Sequence, residues 1–451
     1  MELILDKNKK KEHLYLEVFH YYRELIMEKK LPPGSRMPSL RKCSQELKLS
    51  RTTIENAYLQ LAAEGYIISK AQSGYYVTDI ADRQHTSVRK TEKHAQTPCR
   101  FDFASSGVDR ESFRFDLWRR YIKSALRQDE RLLSYGEPQG EADLRDTLAD
   151  YVRERRNVLC SGEDIVIGAG IQSLLHILCP LLEQRQTVSF PNPSFVQGST
   201  VFHDYGFQVD YRNKDCDIIY VSPAHMTKWG DIMPVSRRLE LVNYSATHGS
   251  LVIEDDFENE FVYLQKPTPS LFSLSGGHDV LFGLAGGQNV VYLGTFSRLL
   301  LPSIRISFMV LPPELSALYR KKADQYNQTA SKAEQIALCQ FIRDGHLAAQ
   351  TRKLKRLYSV KLKALRSAVR EVFGKDSQIQ TGAAGTSLAL TLSTTLTWQE
   401  LQKKAQTNGL RLQLLREAPG KITLILSCSS MPVADFVPAC KLLKDISQIQ
   451  N

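Results

Sequence analysis

The sequence predicts an α/β chain in two unequal parts: a small helical unit closed by a hairpin, and a large unit on a mostly parallel sheet with a smaller α+β lobe at its C-terminal end. Three observations carry that prediction. Over residues 1–79, apolar positions recur at helical spacing and then give way to two short β-rich runs around a glycine-containing turn. From Ile80 to Arg100 the chain reads IADRQHTSVRKTEKHAQTPCR, polar, basic and without hydrophobic period, as a flexible linker reads. Beyond it, brief β-rich runs alternate with longer helical segments, the pattern of strands covered by helices on both faces.

Composition agrees with large cores and narrows the partners. The chain has 451 residues, 42% of them hydrophobic and 24% charged, which excludes a disordered chain. A formal net charge of +10 suits a polyanion such as nucleic acid. The cysteines are scattered, with no Cys-x-x-Cys pair and no histidine at metal-ligand spacing, so they read as buried thiols in a reducing compartment, and no metal site is expected. No apolar run approaches the roughly 18 residues that cross a bilayer, and Met1–Lys11 is not followed by a long hydrophobic region. The expectation is a soluble, cytoplasmic protein without a membrane partner.

In the small unit, Leu14, Val18, Tyr22, Leu25 and Ile26 repeat at helical spacing, and Pro32, Pro33 and Gly34 stop that helix. Ser39 is placed to cap a second helix running towards Leu47. Ser50 is placed to cap a third, whose Ile54, Ala57, Tyr58 and Leu61 form an apolar face before Gly65 ends it. YIISK and YYVT, separated by AQSG, read as a hairpin. Three helices and a hairpin outline a winged helix. A helix entering the major groove needs arginine and short polar side chains at its exposed N-terminal part, where they reach phosphates and base edges. Arg51, Thr52 and Thr53 supply them; Arg41 is placed to clamp the backbone, and Ser73 with Gly74 lets the wing approach the minor groove. Singly, each reads equally well as a solvated residue. Together, in the order helix, turn, helix, SRTT, hairpin, they point to double-stranded DNA.

LPPGSRMPSLRKCSQELKLSRTTIENAYLQLAAEGYIISKAQSGYYV resembles the DNA-binding domain of the GntR family of bacterial transcription regulators. The resemblance implies operator recognition by a winged helix-turn-helix, with Arg41, Arg51, Thr52 and Thr53 as contacts and Gly74 in the wing.

The large unit, 101–352, opens with helical spacing at Leu144, Leu148, Tyr151 and Val152, and then shows the strand-like runs DIVIG, QTVSF, CDIIYV, SLVIEDD, VVYLGTF and ISFMVL. From Lys353 to the end, 353–451, a long basic amphipathic helix and the runs SLALTL and KITLIL suggest the smaller lobe. In such a sheet, ligands sit beyond the carboxyl ends of the strands. Three features fall there: Gly168-Ala169-Gly170 at a strand-to-helix junction, able to face an anion with backbone N–H groups; Asp255 and Asp256 at a strand end; and Thr295, Ser297, Arg298 and Arg305 after VVYLG. Each alone is weak, since a Gly-Ala-Gly start is usually close packing and a strand-end Asp is usually a cap.

SYGEPQGEADLRDTLADYVRERR, VIEDDFENEFVY and GTFSRLLLPSIRISFMVLPPEL resemble the MocR subfamily, and the last is close to GabR-like regulators. In that subfamily a GntR-type domain is joined to a fold-type I aminotransferase domain that binds pyridoxal phosphate. The resemblance implies the PLP-dependent transferase fold for the large domain. It places Asp255 where the pyridine nitrogen is bound, and Gly168, Ala169, Gly170, Ile171, Thr295 and Arg305 where the phosphate is held.

The family pattern is G-T-F-S-K, whose lysine forms the Schiff base, and here that residue is Arg298. A Schiff base needs a neutral primary amine, whereas guanidinium stays protonated. The resemblance therefore implies no covalent cofactor. Phe257 and Phe195 stand where tyrosines are usual, and SPAHMTKWGDIMP keeps His225 but has Met226 and Lys228 in place of Gln and Pro. The arginine that takes a substrate carboxylate has no clean counterpart, Lys421 being the nearest cation. Two uses of Arg298 stay open: joining Arg305 as forked donors to a non-covalent anionic ligand, or pairing with Asp255 in an empty, nearly closed pocket.

The reading that results is a homodimeric DNA-binding regulator, not an enzyme. Its aminotransferase-like domain mediates dimerisation and senses a small anionic, vitamer or amino-acid effector, non-covalent pyridoxal phosphate included. One alternative is a regulator with a ligand-free degenerate core. The other is a working PLP-dependent aminotransferase, against which Arg298 stands.

Overall fold

The computed structural model describes residues 11–70, 73–79, 99–105, 107–263, 268–276, 288–374 and 377–447. Apart from Cys99 and Arg100, the linker read at 80–100 lies outside them. The chain divides into two compact units, Met1–Ala95 and Gln96–Asn451.

In the first unit, α1 (Lys11–Met27), α2 (Leu40–Leu47) and α3 (Arg51–Ala63) precede the antiparallel pair β1 (Ile67–Lys70) and β2 (Gly74–Val77). Both expected caps form: Ser39 Oγ accepts from the Lys42 N–H and Ser50 Oγ from the Thr53 N–H. Each satisfies a backbone donor that the first helical turn leaves without a partner. Val18, Tyr22, Cys43, Ile54, Tyr58, Leu61, Ile67 and Val77 meet in a single core.

The second unit is built on seven strands: β3 (Ile165–Gly168), β4 (Thr187–Phe190), β5 (Gln208–Tyr211), β6 (Ile218–Val221), β7 (Leu251–Asp255), β8 (Val290–Thr295) and β9 (Ser307–Val310). Their order is β3-β9-β8-β7-β6-β4-β5, and among them only β9 runs antiparallel to its neighbours. Side chains alternate between two cores, as a strand's period of two requires. Ile165, Ile167, Val252, Val290 and Tyr292 enter one core, with α4 (Phe115–Ala125) and α5 (Ala142–Arg156). Val166, Ile253, Val291 and Met309 enter the other, with α6 (Ile171–Leu178). Two-sided burial explains why these strands read as unbroken apolar runs.

The smaller lobe holds β10 (Gln378–Gln380), β11 (Ser387–Ser393), β12 (Gln413–Ala418) and β13 (Lys421–Ser427) in the antiparallel order β10-β11-β13-β12. Two details differ from the boundaries read in the sequence. Following α7 (Lys332–Arg343), α8 (His346–Phe373) runs straight through position 353. Its Leu347, Leu354 and Tyr358 belong to the large core, and its Leu365, Ala368 and Val369 to the lobe. The helical period is unbroken across the hand-over, so the sequence carries no mark of it. At the other end, Phe101 and Phe103 pack in the lobe's core, and Phe101–Asp102 pairs in parallel with Leu410–Arg411. All eight cysteines are free; six are buried, Cys160 is half-buried and Cys99 is exposed.

Candidate functional site

The winged unit presents its cations as the helix cap dictates. Arg51 and Thr52 are exposed on the first turn of α3, and Arg41 is exposed on α2. Thr53 is half-buried, and its hydroxyl shares a 2.7 Å hydrogen bond with Ser50 Oγ, so it supports the cap. At the wing, Gly74 is exposed with φ +100°, and the Ser73 hydroxyl is engaged with Tyr76. The sequence reading missed Arg36, whose guanidinium flanks Gly74 and whose backbone bridges to Tyr76. Lys70 lies over the Tyr76 ring at 4.6 Å. The signal was there: Arg36 stands beside the turn that must meet the hairpin.

At the carboxyl ends of the strands in the second unit lies a cavity of about 540 Å³. Phe190, Phe195, Tyr220, Met226 and Phe257 give it apolar walls, and His225, Lys228, Asp255, Thr295, Ser297 and Arg305 give it polar ones. Of the run from Gly168 to Ile171, only Gly170 and Ile171 line it. Gly168 is packed on Leu174, and the Ala169 N–H donates to Thr329 Oγ1. Gly170 has φ +98°, a conformation that favours glycine, and a Cβ there would stand 2.4 Å from Arg305 Nη2 and push the guanidinium aside. Thr295 Oγ1 accepts from the Ser307 hydroxyl and lies 3.2 Å from Ser297 Oγ. Hydroxyls, a helix N-terminus and a guanidinium thus meet at one end, the donor set an oxyanion requires.

Asp255 and Asp256 point to opposite faces. Asp256 is held by Arg156 and by the Tyr292 hydroxyl, away from the cavity. Asp255 Oδ2 accepts from Tyr220 at 2.7 Å, and its buried Oδ1 makes no hydrogen bond of full geometry. Burial pushes its carboxyl up to about 6; the Tyr220 hydrogen bond opposes the rise, Asp256's charge adds to it, and the Phe257 backbone N–H opposes it. The Tyr220 ring stacks on Phe190 at 4.9 Å and leans on Phe195 at 5.4 Å. Gly198 leaves the Phe195 ring room that a Cβ would close.

Arg298 does not line the cavity, and it does not pair with Asp255. Its Nη2 lies 2.6 Å from Glu258 Oε1, its Nη1 donates to Gly107 O at 3.5 Å, and its guanidinium sits 5.8 Å from the Phe257 ring. Glu258 Oε2 is 3.3 Å from His225 Nδ1. Burial holds His225 below the usual histidine range; Glu258 opposes that and Arg298 reinforces it. The sequence reading missed Glu258. It stands in the left-handed region at φ +57°, where a non-glycine residue is strained, and that bend turns its carboxylate back towards Arg298 and His225. Lys421 is exposed at the start of β13 and does not line the cavity.

Residues 14–77 match the gntR family of bacterial regulatory proteins, and residues 108–410 match aminotransferase class I and II. The chain is 31% identical to YdeL of Bacillus subtilis (strain 168), an uncharacterized HTH-type transcriptional regulator, with 96% of each chain covered. The chain belongs to the gntR-type regulators fused to a class I and II aminotransferase domain. This regulator is also 26% identical to MocR of Rhizobium meliloti, a probable rhizopine catabolism regulatory protein, over 89% of its own length and 86% of the relative's. Among solved structures it resembles an archaeal alanine:glyoxylate aminotransferase, with TM-score 0.67 and 17% identity over 87% of this chain and 99% of that one. It also resembles LysN, the α-aminoadipate aminotransferase of Thermus thermophilus, with TM-score 0.63 and 20% identity over 77% and 92%. These two likenesses establish the fold of the second unit. The regulator binds DNA through its first unit. Among the described residues, no helix is long and apolar enough to cross a membrane, and no cluster of His, Cys, Asp and Glu could hold a metal.

Proposed function

We propose that the aminotransferase-like unit is a sensor that takes a phosphorylated ligand of the pyridoxal vitamer class without covalent attachment, and that the regulator acts as a cytoplasmic homodimer on its operator. Asp255 carries this reading, because a buried carboxylate in the cavity wall, with Tyr220 and the Phe257 backbone N–H as its protein donors, can still accept a hydrogen bond from a ligand. A pyridinium N–H would donate it. Arg305, Thr295, Ser297 and the helix N-terminus after Gly170 would hold the phosphate, and Phe195 would cover the ring. When bound, the vitamer's aldehyde supplies an electrophile, and in an enzyme a neighbouring amine reacts with it. At the position where the resemblance implies that amine the sequence has Arg298, and its guanidinium pairs with Glu258. A cavity of about 540 Å³ speaks against the ligand-free alternative.

The experiment adds pyridoxal 5′-phosphate to the full chain. The expected result is a higher melting temperature, since a ligand that binds only the native state stabilises it, with no cofactor fixed to the protein by borohydride. A reducible adduct at Lys228, which lines the cavity, or turnover of an amino donor, would overturn the proposal.

A further inference from the structure

Helix α4 and the turn after it carry Arg119, Arg120, Lys123 and Arg127, and none of the four has a carboxylate partner among the described residues. Arg119 with Lys123, and Lys123 with Arg127, are four residues apart, a spacing at which like charges repel on a helix. The helix dipole favours cations in the last turn. That accounts for Lys123 and, at the end of α7, for Arg343, but not for Arg120. Arg343 is fixed where it stands: its Nε donates to Thr147 Oγ1 at 2.9 Å and its Nη2 to Asp143 O at 3.1 Å. Arg120, Lys123, Arg127 and Arg343 surround one open bowl of about 500 Å³. Its one carboxylate, Asp344, accepts a hydrogen bond from the Tyr121 hydroxyl. The bowl shares no lining residue with the cavity at Asp255.

Four cations gathered in a concavity with so little counter-charge focus a positive potential that an external anion would relieve. We infer that this bowl binds phosphate groups of the DNA backbone, so that the regulator holds duplex at a second, sequence-independent place besides its winged helix. The layout selects a string of phosphates over a single one. Within the helix, Arg119 to Lys123 span about 6 Å at helical rise, Arg127 carries the row into the turn after it, and the bowl's donors are side-chain cations rather than the converging backbone N–H groups of a closed phosphate cradle.

The test measures affinity of the full chain for a random-sequence duplex of about 60 base pairs while salt is raised from about 50 to 200 mM, the range over which counterion release is read. In the double variant Arg120→Ser/Arg127→Ser, the slope of log affinity against log salt should flatten by about 2, close to 0.9 for each phosphate that is no longer neutralised. The control variant Arg366→Ser/Arg370→Ser removes two exposed cations from α8 and should keep the parent slope. Melting temperatures equal to the parent's establish that both variants are folded. Equal flattening in the two variants, or none in the first, overturns the inference. So does a bowl that only binds inorganic pyrophosphate, seen as a melting-temperature rise lost in the first variant while its DNA slope is unchanged.

Discussion

Arg298 and Glu258 act as a pair, and each alone would be a liability. Glu258 is 3% exposed, and its carboxylate has the Arg298 guanidinium and the His225 imidazole as neighbours. Removing one member of a buried ion pair leaves an uncompensated charge and costs about 3 kcal/mol. Arg298→Met should lower the unfolding free energy by that order, and adding Glu258→Gln should recover most of it; urea unfolding of the two variants checks both. Asp255 gives a second test with its own sign. Its folded-state carboxyl is raised from 3.8 to about 6, so the native state holds the proton more firmly than the unfolded chain does. Its contribution is therefore most favourable at low pH, is lost as pH rises from about 4 to about 6, and changes no further above that. Asp255→Asn removes the group, and the variant's stability relative to the parent should climb by about 3 kcal/mol across that window and then stay level. Unfolding at a series of pH values reads this directly.

Helix α3 does two jobs with one N-terminus. Ser50 closes its first turn, and that closure presents Arg51 and Thr52 to solvent. Ser50→Ala should cost the first unit about 1 kcal/mol, measured as its own melting shift. Arg51→Ala should leave stability unchanged but weaken operator binding more than binding to random duplex. Equal loss on both would mean that Arg51 touches phosphate only. At this scale the caps, the hairpin and helix α3 were all legible in advance, because each depends on local signals: Ser39, Ser50, Gly65 and the spacing of Ile54, Ala57, Tyr58 and Leu61. The run of α8 through position 353 was not, because a helix that changes cores keeps its period while its surroundings change.

The two units have separate cores, Tyr58 being central to the smaller one. Calorimetry of the full chain should therefore show two transitions, with Tyr58→Ala lowering only the one that belongs to the first unit. A single transition shifted as a whole would show that the units unfold together. By itself the sequence determined the division into a winged unit and an α/β unit, the mostly parallel sheet, and the place of Gly170, Asp255, Thr295 and Arg305 at its strand ends. Those follow from period, caps and glycines, which act over a few residues. Only the tertiary structure decided which partner Arg298 takes, since Asp255 and Glu258 are both carboxylates close behind the same strand. The Tyr220 hydroxyl on Asp255 and the Arg298 guanidinium on Glu258 sort them, and these are contacts between residues far apart along the chain.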